Sequence, residues 1–281
     1  MLNSQIIKKI NDFVYTKPRT VDEIAKHISK NWRTANRYIE KISEEQGTIS
    51  LRVFREGTRG ALKIVFWNSI EKIHSTSFQE KLLLSIESGK KKNDFSPFDI
   101  YQHVDEKKKS AFAKEGEEES TTPLQDIAGL LRKTEKNLFI FSGNLSWANL
   151  VQDKTKIISI FEELARRNVS IKIVTRVELA GLENIKRVLA INDRIGKDII
   201  EIRHREQPLR AIIIDNKLAQ FRDVKNPVDY KKDELNKKTF FFYNIYDSEW
   251  IEWLQKVFWN MFSTAVPAEK RIKEIDAIQK L

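Results

Sequence analysis

The sequence predicts an α/β chain of two units: a small helical unit closed by a β-hairpin, then a larger unit with a mixed, partly parallel sheet covered by helices. Three observations carry this reading. With 281 residues the chain exceeds what one hydrophobic core usually organises. Near Gly47 the hydrophobic period changes from helical spacing to alternation. From Pro123 onward, strand-like and helix-like runs follow one another in turn.

Composition narrows the class. Hydrophobic residues make up 41% and aromatics 10%, enough apolar surface for real cores, which excludes global disorder. The chain has no cysteine, so disulfides, thiolate nucleophiles and cysteine-bearing zinc sites are excluded. Histidine–carboxylate metal sites stay open in principle, but no metal, cofactor or catalytic residue is assigned. The first nine residues already carry Lys8 and Lys9, and no stretch approaches eighteen apolar residues, so neither a signal peptide nor a spanning helix is expected. The expectation is a soluble, cytoplasmic protein without a membrane partner. A formal net charge of +10 favours polyanions, with double-stranded DNA first among them.

The elements follow in order. Ile6, Ile7, Ile10 and Phe13 at helical spacing predict a helix over Ser4–Val14. Thr20-Val21-Asp22-Glu23 has the form of a capping box and opens a second helix through Ile24, Ala25 and Ile28. Ala35, Tyr38, Ile39 and Ile42 give a third, which stops near Gly47. Ile49, Leu51 and Val53 alternate with polar residues, and after Gly57–Gly60 the run Ala61–Trp67 is again strand-like, which predicts a hairpin. Residues 71–122 hold a helix at Phe78–Glu87 and then charged runs such as Lys107–Lys109, and are taken as a helical and charged connector. Beyond it come a helix at Leu124–Lys133, strands at Leu138–Ser142 and Ser170–Thr175 with a helix near Lys156–Arg167 between them, and a helix at Leu182–Ile191. Strands near Ile199–Arg203, Arg210–Asp215, Lys217–Phe221 and Thr239–Tyr243 complete the sheet. Ser248 then caps a helix whose aromatic stripe, Trp250, Trp253, Phe258 and Phe262, reads as core rather than as a stacking platform. A terminal helix covers Glu269–Leu281. The domains are therefore expected at 1–70, 71–122, 123–262 and 263–281.

Three short helices followed by a hairpin, with the pattern of Val21–Ile42, resemble the winged helix-turn-helix family. The resemblance implies that the third helix lies in the major groove, its first residues nearest the base edges. Lys30, Trp32, Arg33, Thr34, Asn36, Arg37 and Lys41 are the candidate DNA contacts, with Arg33, Asn36 and Arg37 suited to bases and Lys30, Thr34 and Lys41 to phosphates. Arg55, Thr58 and Arg59 at the hairpin tip are the wing candidates. Charge agrees with this placement, since residues 1–70 hold 13 Lys and Arg against 7 Asp and Glu. The competing reading of such a unit is a protein-docking module.

Leu138–Trp147, a helix, Asn168–Arg176 and the later Arg203–Asp215 resemble in their order a phospholipase D-like domain, which also forms the effector part of archaeal TrmB-type sugar-responsive regulators. Active members of that family need His-x-Lys followed by Asp, with the histidine attacking phosphorus and the lysine holding the phosphoryl oxygens. Two positions after His27, His74, His103 and His204 stand Ser29, Thr76, Asp105 and Glu206, and the matching place reads Arg210-Ala211-Ile212, so phosphodiester cleavage is not expected. The chain is read as a non-enzyme. Ser142, Asn144, Ser146, Arg176, Arg203, Arg210 and Asp215 are candidates for holding a small polar or anionic effector, with an Arg176–Asp215 structural bridge as the plainer alternative. A single copy of the motif leaves one surface to be covered, from which a homodimer through residues 120–281 is expected. The function so implied is a DNA-binding transcription regulator. The alternatives are an architectural, chromatin-type DNA-binding protein and a phospholipase D-type nuclease.

Overall fold

The structure, a computed structural model, describes residues 4–16, 18–55, 62–67, 77–116, 125–229 and 237–279. The chain divides into two units, Met1–His74 and Ser75–Leu281.

In the first unit, α1 (Ser4–Thr16) buries Ile10 and Val14. The two-residue strand β1 (Arg19–Thr20) leads into α2 (Val21–His27), where the Thr20 hydroxyl accepts from the Glu23 amide at 3.1 Å and the Thr20 amide donates to the Glu23 carboxylate at 2.7 Å. Helix α3 (Trp32–Gln46) starts on Asn31, whose side chain accepts from the Thr34 amide, and ends at Gly47, whose φ of 62° is the left-handed conformation that glycine adopts without strain. Strands β2 (Ile49–Arg55) and β3 (Leu62–Trp67) pair antiparallel, and β1 adds to β3 with Thr20 opposite Ile64. Strand β1 escapes sequence reading because two residues carry no period. Ile24, Ala35, Ile39, Ile42, Ile49 and Val65 close the core of this unit.

The second unit starts earlier than the sequence suggested. Helices α4 (Ser77–Ser88) and α5 (Phe98–Tyr101) precede β4 (Lys109–Glu115), which pairs along its whole length with a strand more than a hundred residues later. Much of the span expected as a connector is thus part of the sheet unit: Lys114 and Glu115 are solvated positions of an edge strand, while the Lys109 side chain is buried and donates to the Tyr101 carbonyl. Then come α6 (Ile127–Arg132), β5 (Asn137–Phe141), the small hairpin of β6 (Val151–Gln152) and β7 (Thr155–Lys156), α7 (Ile157–Arg166), β8 (Ser170–Thr175), α8 (Leu182–Ile195) and β9 (Ile200–His204). The chain continues through β10 (Ala211–Ile214), β11 (Leu218–Lys225), β12 (Thr239–Ile245), α9 (Ser248–Thr264), β13 (Val266–Pro267) and α10 (Ala268–Ile278).

Eight of these strands form one sheet in the order β13-β9-β8-β5-β10-β11-β12-β4. The pairs β5–β8 and β8–β9 are parallel, as strands joined by crossover helices must be, and the remaining neighbours are antiparallel. Ile140, Ile171, Ile173 and Ile202 on the sheet pack with α7 and α8. The aromatic stripe of α9 is core: Trp253, Phe258 and Phe262 are buried, and Phe258 lies 4.9 Å from Phe139 and 5.2 Å from Phe141, ring to ring. The cap of α9 is Asp247 and not Ser248, because the Asp247 carboxylate accepts from the amides of Glu249 and Trp250. No helix among the described residues is long and apolar enough to cross a membrane.

Candidate nucleic-acid interface and ligand cavity

In the first unit the geometry follows from α3. Ala35, Ile39 and Ile42 point into the core, so residues displaced from them around the helix face solvent. Arg33 and Arg37 are exposed there, with Lys30 just before the helix. None of the three side chains makes a hydrogen bond or ion pair among the described residues, and Arg37 only leans over the Tyr38 ring at 5.8 Å. Trp32, at the first helical position, is 42% exposed with the Lys63 ammonium 5.5 Å from its ring centre.

Asn36 is placed differently from the sequence expectation. Its amide nitrogen donates to Glu40 of the same helix at 2.7 Å and its oxygen accepts from Lys63 of β3 at 3.0 Å, so both ends of the fork are taken and one of them ties the helix to the hairpin. Lys41 pairs with Glu45 at 3.5 Å, an exposed i,i+4 contact of small worth. The Thr34 amide serves the Asn31 cap. Arg55 ends β2, while Thr58 and Arg59 lie outside the described residues.

In the second unit strand direction decides what meets. Parallel β5 and β8 end side by side, and Ser142 and Arg176 follow them directly. Antiparallel β10 places Ala211 opposite Phe141, so Arg210 reaches the same edge, and β11 brings Arg222 there, its amide donating to the Arg210 carbonyl at 2.8 Å. These strand ends line a cavity of about 830 Å³ with Ser142, Gly143, Asn144, Ser146, Arg176, Arg210, Gln220 and Arg222, floored by Ile140, Trp147, Ile212, Phe240 and Phe242. Lys91, Lys92 and Asp94 line it from the turn after α4. The Asp94 carboxylate accepts from the amides of Lys91 and Lys90, which holds its pKa below the ordinary value.

Five of the seven residues expected to hold an effector therefore come together. The Arg210 guanidinium lies over Gly143, where an added Cβ would stand 2.9 Å from it and displace the end of that side chain. Ser142 is buried and occupied, its hydroxyl accepting from the Leu145 amide and the Trp147 indole, both at 3.2 Å, which shapes the loop behind β5. The Asn144 side chain accepts from the Ser146 amide at 3.1 Å. Arg176 keeps its Nε buried without a hydrogen-bond partner among the described residues, and its nearest carboxylate is Glu178 at 3.8 Å. An unpaired buried donor at the wall of a cavity is a group that a ligand acceptor would satisfy.

Arg203 and Asp215 do not belong to this group. The Arg203 side chain donates to Glu201 at 2.8 and 2.7 Å and to the Phe262 carbonyl at 3.0 Å, which clamps β9 to α9. Burial disfavours the charge of Glu201, yet Lys172 and Arg203 outweigh it and hold the carboxyl below its ordinary pKa. Asp215 follows β10, and because β10 runs against β5 it falls at the opposite end of the sheet from Arg210. There its carboxylate accepts from the amides of Glu135, Lys136 and Asn137 at 2.8–3.0 Å, so the Arg176–Asp215 bridge does not form.

His204, the last residue of β9, is half-buried. Its Nδ1 accepts from the Val177 amide at 2.9 Å, and burial, then the positive charge of Arg271, lowers its pKa. No histidine lines the cavity among the described residues. Nor does any group of three or more acidic or histidine side chains among them suit a metal ion.

The sequence reading missed Lys91, Lys92, Gln220 and Arg222. For the last two a signal was present, because Gln220, Arg222 and Val224 alternate along β11 and share one face of it. Gln220 continues a chain of side-chain hydrogen bonds from Gln125 through Asn244 to Ser110, which spans β11, β12 and β4.

No family model and no curated protein matches the chain. Solved structures similar to it include Nuc from Salmonella typhimurium, a phospholipase D family member, at 12% identity over 57% of this chain and 97% of that one, with a TM-score of 0.39. NucT from Helicobacter pylori is similar at 14% identity over 57% and 98%, again with a TM-score of 0.39. TrmBL2, an archaeal chromatin protein, is similar over 94% of both chains at 15% identity and a TM-score of 0.39.

Proposed function

We propose that the chain is a DNA-binding transcription regulator whose first unit is a winged helix-turn-helix and whose second unit, a phospholipase D-like scaffold, dimerises and holds a small polar or anionic effector. The observation that carries the DNA reading is the exposed face of α3. Arg33 and Arg37 stand there, with Lys30 just before them, their side chains without ion pairs among the described residues, on a helix narrow enough for the major groove and backed by its own core. Arg33 and Arg37 take the base-reading roles, and Lys30 suits a phosphate. Asn36 holds the hairpin in place instead.

Support for the effector is the cavity, where Lys91, Lys92, Arg176, Arg210 and Arg222 outnumber Asp94 and Asp223. Asp223 is moreover paired with Lys225 at 2.9 Å. The unit acts without hydrolysis in this reading: Arg210, Ala211 and Ile212 supply neither the nucleophile nor the lysine that the family mechanism needs, and the His204 Nδ1 lone pair is taken by the Val177 amide.

Footprinting on genomic fragments, with a salt titration and with Arg33→Ala/Arg37→Ala alongside, tests the reading. Strong preference for particular sites, lost in the double variant, supports it. Unchanged affinity in the double variant overturns the placement on α3. Uniform affinity with a steep salt slope assigns the chain to the architectural class instead.

A further inference from the structure

We propose that β4 is the dimer seam: its outer edge pairs antiparallel with β4 of a second copy, about a two-fold axis at Phe112. The proposal rests on the homodimer stated above and names the surface that makes it.

The two edges of the large sheet are unlike. At one end β13 is two residues long and contains Pro267, which has no amide proton to offer. At the other, β4 runs for seven residues without proline, glycine or bulge, and no strand among the described residues pairs with its outer side. Such an edge is a template for another strand.

The direction of its backbone groups can be worked out. Beyond one end of β4 the Tyr246 amide donates to the Lys108 carbonyl, and beyond the other the Gly116 amide donates to the Lys238 carbonyl. Bonded and non-bonded pairs alternate in an antiparallel ladder, so the even-numbered residues between them bond to β12. Lys109, Ala111, Ala113 and Glu115 therefore turn their N–H and C=O groups outward.

An antiparallel copy centred on Phe112 sets Lys109 against Glu115 and Ala111 against Ala113, so that every outward group finds a partner. Slipping the copy by two residues leaves an outward residue unpaired at each end. The Lys109 ammonium is already held within its own copy by Glu106 at 2.7 Å, and the Glu115 carboxylate by Lys237 at 3.5 Å, so the backbone groups set the register. The centred register places Phe112 beside Phe112 of the copy in a non-bonded pair, where side chains approach most closely. Phe112 is 37% exposed and already stacks on Phe242 at 4.9 Å and 17°, so pairing continues an aromatic row across the seam.

The test uses the full chain. Light scattering at tens of micromolar is expected to give twice 33.0 kDa. Ala113→Pro removes an outward amide while sparing the ladder to β12, and is expected to give the monomer mass with an unchanged circular dichroism spectrum. Because the chain has no cysteine, Phe112→Cys supplies a single thiol that is expected to form an intermolecular disulfide under mild oxidant. Ser110→Cys should not, since its own mate lies about 13 Å away along the strand, too far to bridge. A dimer that survives Ala113→Pro, or that cross-links at residue 110 and not at 112, overturns the seam and leaves the dimer standing. A monomeric wild-type chain overturns both.

Discussion

Arg33 and Arg37 show how far a single residue's role can be argued from where its neighbours are spent. Both face solvent on α3 without an ion pair among the described residues, whereas Asn36, equally suited to a base by chemistry, is held at both ends by Glu40 and Lys63. Each arginine-to-alanine change is expected to weaken binding at a preferred site by about 1–3 kcal/mol and to relax preference at one base pair. Asn36→Ala should instead disturb the hairpin, and titrations against matched and mismatched duplexes separate the two effects. His204 yields a pH prediction. Its folded pKa is lowered, by burial first, so the unfolded chain takes up the proton more readily. Its contribution to stability is full above the unfolded value of about 6.5 and is lost as pH falls towards and through the folded value. His204→Asn keeps an acceptor for the Val177 amide without that titration. Urea midpoints at pH 7.5 and 5.5 should therefore separate more in the wild type than in the variant.

At the scale of elements, local chemistry decides where helices begin, and strand direction decides which ends meet. The capping box at Thr20 was legible because both of its hydrogen bonds join residues three apart. Thr20→Ala is expected to cost the first unit about 0.5–2 kcal/mol, read from the denaturation midpoint, with α3 and the hairpin still formed. The start of α9 shows the limit of such reading. Asp247 and Ser248 are both good caps by type, and the structure selects Asp247, whose carboxylate also pairs with Lys108 at 3.0 Å. That contact, together with desolvation that opposes it, belongs to a carboxyl held below its ordinary pKa. The cavity likewise depends on direction: β5 and β8 run together and β10 against them, which gathers Ser142, Arg176 and Arg210 and sends Asp215 to the far end.

At the scale of the whole molecule, the division at His74 and Ser75 carries a consequence for fragments. A chain starting at residue 123, the boundary that the hydrophobic pattern suggested, would lack β4 and leave β12 as a bare edge lined with Phe240, Phe242 and Tyr243. The fragment 75–281 is expected to remain in solution with a cooperative melt, and 123–281 to melt lower or aggregate. Differential scanning calorimetry on both, at equal concentration, makes the comparison.

What the sequence alone determined about this protein is what neighbouring residues decide: the hydrophobic periods of the helices and most strands, the Thr20 cap, the change of period at Gly47, and the concentration of positive charge in the first seventy residues. All but the last, which is a matter of composition, depend on separations of four residues or fewer, within which side chains on one helix or strand meet directly. Tertiary structure decided the rest. The Lys109–Glu115 segment reads as solvated charge because an edge strand is exposed almost throughout, and only pairing with Thr239–Ile245 makes it a strand. Arg203 and Arg210 are equivalent by composition, but Glu201 and the Phe262 carbonyl hold one at the α9 clamp, while strand direction brings the other to the cavity over Gly143. Such assignments depend on contacts between residues tens of positions apart, and local periodicity carries no trace of them.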